Sequence, residues 1–163
     1  SAGNAAAMLP AVQPIFETIG FARISTSAPD AQRLGYLRTQ DGWTMRRDRL
    51  LHDAKAVALR RAAEGYVPRG ERAGVRVGGD TVRAALSLGV HLALRAGRIS
   101  EHDALIGRTL ARVLAGGDLP HAAVVSERHL LDLEREAFLS LAGTERTRAR
   151  IRHTLDTGKP LRN

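Results

Sequence analysis

Cysteine is absent from the 163 residues, which excludes disulfides, zinc–thiolate sites and thiol nucleophiles. Aromatics are scarce as well: three Phe, two Tyr and one Trp leave almost no surface on which unpaired bases could stack. Lysine is confined to Lys55 and Lys159, so the net charge of +8 is carried by arginines spread along the chain. A basic surface attracts phosphates, but this dispersion reads as residue usage and not as a nucleic-acid footprint. No run approaches the roughly 18 uninterrupted apolar residues that a membrane span needs. The apolar stretch around Leu9 is broken by Pro10, Gln13 and Pro14 and has no basic lead. A soluble, cytoplasmic, untargeted protein is the expectation. What is present, 44% hydrophobic and 26% charged residues, is enough for one average domain or two small helical pieces.

Helical periodicity dominates. Leu9, Val12, Ile15, Phe16 and Ile19 fall on one helical face, and the spacing predicts a first helix starting near Pro10, a residue tolerated in a first turn. Ser27 reads as the cap of a short helix with Asp30 near its positive end, closed by Gly35. A third helix is expected from about Arg46 to Glu64, with Leu50, Leu51, Ala54, Val57, Ala58 and Leu59 as its stripe and Gly65 as its stop. Residues 67–79 carry Pro68, Gly70, Gly74, Gly78 and Gly79; they read as a linker in which only Val75-Arg-Val77 hints at extended chain. Asp80 is then expected to cap a helix to about Ala96, closed by Gly97. Ser100-Glu-His-Asp103 opens another that is closed by Gly116. Ser126 opens a helix whose inward face is Leu130, Leu133, Ala137, Phe138 and Leu141, closed by Gly143. Thr144 opens the last, with Ile151 and Leu155 inward and Gly158 at its end. The expected fold is all-α, about seven helices joined by Gly-capped turns, with no strand pair.

Few patterns carry chemistry. His52, His91, His102, His121, His129 and His153 invite a metal or acid/base reading, but only His129 and Asp132 stand one turn apart, and a metal needs three or four converging ligands. Solvated or capping histidines are expected. Glu127, Asp132, Glu134 and Glu136 could supply paired carboxylates, yet the interleaved Arg128 and Arg135 mark an exposed, charge-laced face. Ser25-Thr-Ser27 lacks the Gly-x-Ser-x-Gly turn of an exposed nucleophile. Gly78-Gly79-Asp80-Thr81 precedes a helix whose free N–H groups could hold a phosphate, but no Lys-Ser/Thr follows and Asp80 repels an anion. No catalytic, cofactor-binding or metal-binding residue is therefore assigned.

Two regions resemble a known family. Ala22-Arg-Ile-Ser-Thr-Ser-Ala28 with Ala31 and Gly35-Tyr-Leu37 resembles the Ser-Ala-x-x-Ala-x-x-x-Gly-Leu-Val segment that follows the core of enoyl-CoA hydratase (crotonase) proteins. Leu114-Ala-Gly-Gly-Asp-Leu-Pro120, Val125-Ser-Glu127, Leu130-Leu-Asp-Leu-Glu-Arg-Glu-Ala-Phe-Leu139 and Thr157-Gly-Lys-Pro-Leu-Arg-Asn163 resemble the C-terminal end of bacterial fused 3-hydroxyacyl-CoA dehydrogenase/enoyl-CoA hydratase proteins. Arg46, where that family would have a polar amide, and the loop 69–79 depart from the pattern. The resemblance implies a fragment of a fatty acid β-oxidation enzyme. Residues 1–66 would be the last helices of a crotonase-like domain, 67–79 a linker and 80–163 a terminal helical domain packing on the upstream domains of the parent chain. It also implies that NAD and the acyl-CoA substrate are bound by the parent upstream of Ser1, through a Gly-rich βαβ unit and the crotonase oxyanion donors, and that the fragment binds no cofactor. An uncovered first helix would then favour self-association through Leu9, Val12, Ile15, Phe16 and Ile19. The rival from another class is a basic helical interaction or nucleic-acid-binding module; an intact small enzyme is disfavoured by the lack of any converging polar set. Far-ultraviolet circular dichroism of the chain should be dominated by helix, and a sheet-rich spectrum would refute the fold expectation.

Overall fold

A computed structural model describes residues 5–163. Among them are seven α-helices and one small sheet: α1 (Ala5–Gly20), α2 (Ala28–Arg33), α3 (Leu50–Ala63), β1 (Val75–Val77), α4 (Gly79–Arg95), α5 (Glu101–Leu114), β2 (Ala123–Val125), α6 (Glu127–Ala142) and α7 (Glu145–Thr157). The helix starts are local matters, and they fall where capping chemistry puts them. The hydroxyls of Ser27, Ser100, Ser126 and Thr144 accept the backbone N–H of Asp30, Asp103, His129 and Thr147. At α5 the reciprocal bond from Ser100 N to the Asp103 carboxylate, 3.0 Å, completes a capping box. Gly35, Gly65, Gly97, Gly116 and Gly158 close their helices with positive φ as expected, whereas Gly143 stays right-handed at φ −66° because Thr144 opens α7 immediately after it.

One boundary between compact units, Gly70 to Glu71, falls inside the expected linker 67–79, and a second falls after Ala22. One compact unit joins the chain up to Ala22 with Glu71–Asn163, and the other is Arg23–Gly70. The reason lies in the apolar face of α1, where Met8, Leu9, Val12 and Phe16 pack on Val82, Leu86 and Ala111 of α4 and α5. That face is therefore covered, and only its edge residues Ile15 and Ile19, each about half exposed, face solvent. The self-association surface expected there is largely an internal contact. Helix α1 also starts earlier than Pro10: both prolines lie inside it and on its exposed side, away from the packed face.

The remaining core of the larger unit is α5. Ala104, Ala111 and Ala115 have no exposed area, and Val82, Leu86 and Val90 of α4 bury against this helix's surroundings. Complete burial of a side chain such as Val82 or Leu86 stabilises by about 1.5–3 kcal/mol. The expected absence of strand pairing is corrected here. Val75, Arg76 and Val77 pair antiparallel with Val125, Val124 and Ala123. Three residues per strand are too few to show alternation in sequence, and the partners lie some fifty positions apart. Next to this ladder Arg72 is tied to the start of α6, its N–H donating to the Glu127 carboxylate at 2.9 Å and its carbonyl accepting from Glu127 N at 2.8 Å.

In the smaller unit, α2 is followed by a turn held by Tyr36, whose hydroxyl donates to the Arg23 carbonyl, and Ala31 is buried. Asp30 accepts from the Thr26 N–H and from Arg33, in that order of effect, and both hold its pKa below the ordinary value. A short 3-10 turn, Arg47–Arg49, leads into α3. The stripe expected on α3 is not buried: Leu51 is 82% exposed and no residue of the helix is covered.

Two further inward assignments are corrected. Phe138 is 60% exposed, and the buried residues of α6 are Leu133 and Ala137. On α7 Ile151 and Leu155 face outward, and the half-buried Arg150 takes the inner position. The consequence for stability is direct. Leu133→Ala should lower unfolding free energy by roughly 2–5 kcal/mol, while Phe138→Ala should cost less than about 1 kcal/mol; urea titration of both variants decides it, and the reverse order would refute the packing.

Candidate functional site

Two polar clusters lie in the larger unit. In the first, Asp118 follows α5 in the Gly116-Gly117-Asp118 turn and presents one oxygen to Arg83 Nη1 of α4 at 2.7 Å and the other to Arg112 Nε of α5 at 2.8 Å. Arg83 also pairs with Asp80 at 2.7 Å, and Arg112 reaches Glu136 of α6 at 3.1 Å. The hydrogen bond that Arg112 donates to Asp118 raises its pKa, burial opposes this, and Glu136 adds to the rise. The carboxylates are more than half exposed, so each pair stabilises by only about 0–1 kcal/mol. Together they fix the relative positions of α4, α5 and α6.

A shallow cleft of about 520 Å³ opens beside this cluster, lined by Asp80, Arg83, Ser87, Arg108, Thr109 and Arg112. Two of its three arginines, Arg83 and Arg112, are paired with carboxylates. The Thr109 hydroxyl donates to the Leu105 carbonyl at 2.9 Å.

The second cluster joins α5, α7 and the chain's last residues. Arg150 donates through Nη1 to Asp103 at 2.7 Å, through Nε to the Asn163 side chain at 2.8 Å and through Nη2 to the Asn163 main-chain oxygen at 3.2 Å. The Asn163 amide in turn donates to the Arg146 carbonyl at 3.2 Å. Burial works against the Asp103 carboxylate, but the Ser100 N–H and the Arg150 guanidinium outweigh it and hold its pKa below the ordinary value. Beside it His102 is buried, with Nε2 2.9 Å from the Thr147 hydroxyl.

The sequence-level candidates separate accordingly. His102 is buried, contrary to the solvated or capping role expected of all six histidines. His129 does cap: the Gly116 carbonyl can only accept, so Nε2–H donates to it at 2.9 Å. His52, His91 and His121 are exposed and His153 is half-buried. Among the described residues no three His, Asp or Glu side chains converge to hold a metal. The acidic run of α6 is not a carboxylate pair: Asp132 bonds Arg128 within the helix, whereas Glu127 and Glu136 serve Arg72 and Arg112. The phosphate reading of Gly78-Gly79-Asp80 fails because its N–H groups are used. Gly79 N donates to Ala115 O at 3.0 Å and Asp80 N to Leu119 O at 2.8 Å. Gly78, not Asp80, is the N-cap of α4, and Gly79 is glycine because a Cβ there would meet His121 O at 2.4 Å. Arg83, Arg112, Arg150, Asp118 and Asn163 were missed in sequence; arginine dispersed through helices carries no local sign of its partner.

No protein-family model matches the chain, and no solved structure matches it. Among curated proteins, a probable 3-hydroxyacyl-CoA dehydrogenase of Bacillus subtilis (strain 168) is 44% identical over 153 residues, 94% of this chain. The chain spans 19% of that relative's length.

Because Asp103 has a lower pKa folded than unfolded, its stabilisation is complete above the unfolded value of about 3.9 and is lost as pH falls through the folded value. Asp103→Asn should therefore be less stable than the parent by roughly 1.5–3 kcal/mol near neutrality, and thermal melting should show the gap closing toward about pH 2.5, below the ordinary carboxylate range. A gap that stayed constant with pH would refute the assigned role.

Proposed function

We propose that the chain is the C-terminal helical part of a fatty acid β-oxidation enzyme, an NAD-dependent 3-hydroxyacyl-CoA dehydrogenase that also carries a crotonase-type enoyl-CoA hydratase domain. The observation that carries the reading is the 44% identity across nearly the whole chain to a fifth of a much longer dehydrogenase. The polar clusters agree with it, since their charged groups are spent on tying α4, α5, α6 and α7 together. In this reading residues 1–66 derive from the last crotonase-type helices and 80–163 from a terminal domain, with α1 packed on the terminal helices. Its role is to stabilise and pack, in a cytoplasmic parent.

The chemistry would lie upstream of Ser1. A Gly-rich βαβ unit would bind NAD for oxidation of the 3-hydroxyacyl-CoA. Backbone N–H donors would hold the thioester enolate oxygen during hydration of the 2-enoyl-CoA, with carboxylates moving the proton.

The alternative, a basic nucleic-acid-binding module, is weakened by the pairing of Arg83, Arg112 and Arg150 with carboxylates. Its signature would be oligonucleotide binding that falls steeply between about 50 and 200 mM salt.

The test is enzymatic. The chain as it stands should neither hydrate crotonyl-CoA nor oxidise 3-hydroxybutyryl-CoA with NAD, and both activities should appear when it is expressed together with the coding sequence that precedes Ser1. Turnover by the chain alone, or no Gly-x-Gly-x-x-Gly unit in that preceding sequence, would overturn the reading.

A further inference from the structure

His102 is 4% exposed at the second residue of α5, and its Nε2 meets the Thr147 hydroxyl in the first turn of α7. Two helix starts, capped by Ser100 and Thr144, thus converge on one imidazole. Both present the positive end of a helix dipole, which disfavours a cation there. The charged groups that bear on the ring are Arg146 and Arg150 from α7 and Asp103 from its own helix. Asp103 offers little compensation, since its oxygens already serve Arg150 Nη1 at 2.7 Å and Ser100 N at 3.0 Å.

The ring's hydrogen bond reaches α7. A neutral ring accepts from the Thr147 hydroxyl or donates to it according to its tautomer, whereas an imidazolium Nε2–H can only donate to it. Thr147 Oγ1 also lies 2.9 Å from Thr144 Oγ1, the atom that caps α7 through Thr147 N. Solvating a charged ring means parting it from this capping pair.

We propose that His102 is an acid-sensitive latch, whose protonation frees the first turn of α7, and with it Arg150 and the segment ending at Asn163, from the start of α5. The apolar contacts of α1, α4 and α5 do not involve the ring and stay closed.

Burial first, then Arg150 and Arg146, lower the pKa of His102 below its ordinary value. The latched state therefore refuses a proton that a freed histidine takes up below about pH 6.5. Opening increases as pH falls from that value to the latched pKa, by up to about tenfold per pH unit, levels off below the window and is unaffected above it.

Amide hydrogen exchange followed by NMR on the whole chain tests this. After correction for intrinsic rates, protection of α7 should fall by up to about tenfold per unit within the window below pH 6.5, while the α4 and α5 amides keep theirs. In His102→Gln, α7 protection should lose that dependence. Equal loss in α4 and α5, or an unchanged dependence in His102→Gln, would overturn the proposal. A second measurement does not rely on that variant folding: the imidazole resonance of His102 in the parent chain should titrate below about pH 6.5. Arg146→Gln, a change at an exposed site, should move that midpoint upward; a midpoint at or above the ordinary value, or one that Arg146→Gln leaves in place, would also overturn it.

Discussion

Ala104, Ala111 and Ala115 present α5 to its neighbours as a nearly smooth rod, with no exposed area at any of the three. Gly107 lets α4 come closer still, because a Cβ at that position would lie 2.9 Å from Val90 Cγ2. Small residues bury little area themselves, so stability comes from the larger partners that reach them: Val82, Leu86 and Val90 from α4, and Met8, Leu9, Val12 and Phe16 from α1. The arrangement of the larger unit follows. Helix α1 is recruited across some fifty intervening residues because only there does its apolar face find a matching surface, and α6 adds Leu133 and Ala137 on another side.

Once those helices are close, charge settles their register. Arg83 and Arg112 share Asp118, and Arg112 extends to Glu136. The individual pairs are weak because they are exposed, but each has a defined geometry that a shifted register would break. Arg150 does the same at the opposite ends of α5 and α7, and there the partners are more enclosed. Three arginines, Arg83, Arg112 and Arg150, are thus part of the internal framework.

The same enclosure gives His102 its character. A histidine on an exposed helix would titrate as in a peptide, but this one is placed where two helix starts and two guanidinium groups meet. Its ring meets the Thr147 hydroxyl, which lies 2.9 Å from the Thr144 cap.

What the sequence determined by itself is local. Ser27, Ser100, Ser126 and Thr144 mark helix starts because a cap bonds an N–H three residues on, and Gly97, Gly116 and Gly158 mark ends because the backbone there turns left-handed. The count of helices follows from such signals, and so does the resemblance of the Thr157–Asn163 tail, whose Asn163 proves to clamp Arg150. Periodicity showed that faces exist but not what would cover them. Phe138 and Leu133 share one stripe in sequence, yet one is exposed and the other buried, because the position of a neighbouring helix decides which edge of the stripe is enclosed. Tertiary structure alone paired β1 with β2, set α1 on α4 and α5, matched Arg83, Arg112 and Arg150 to distant carboxylates and buried His102, since each of these joins residues whose meeting depends on the path of the whole chain between them.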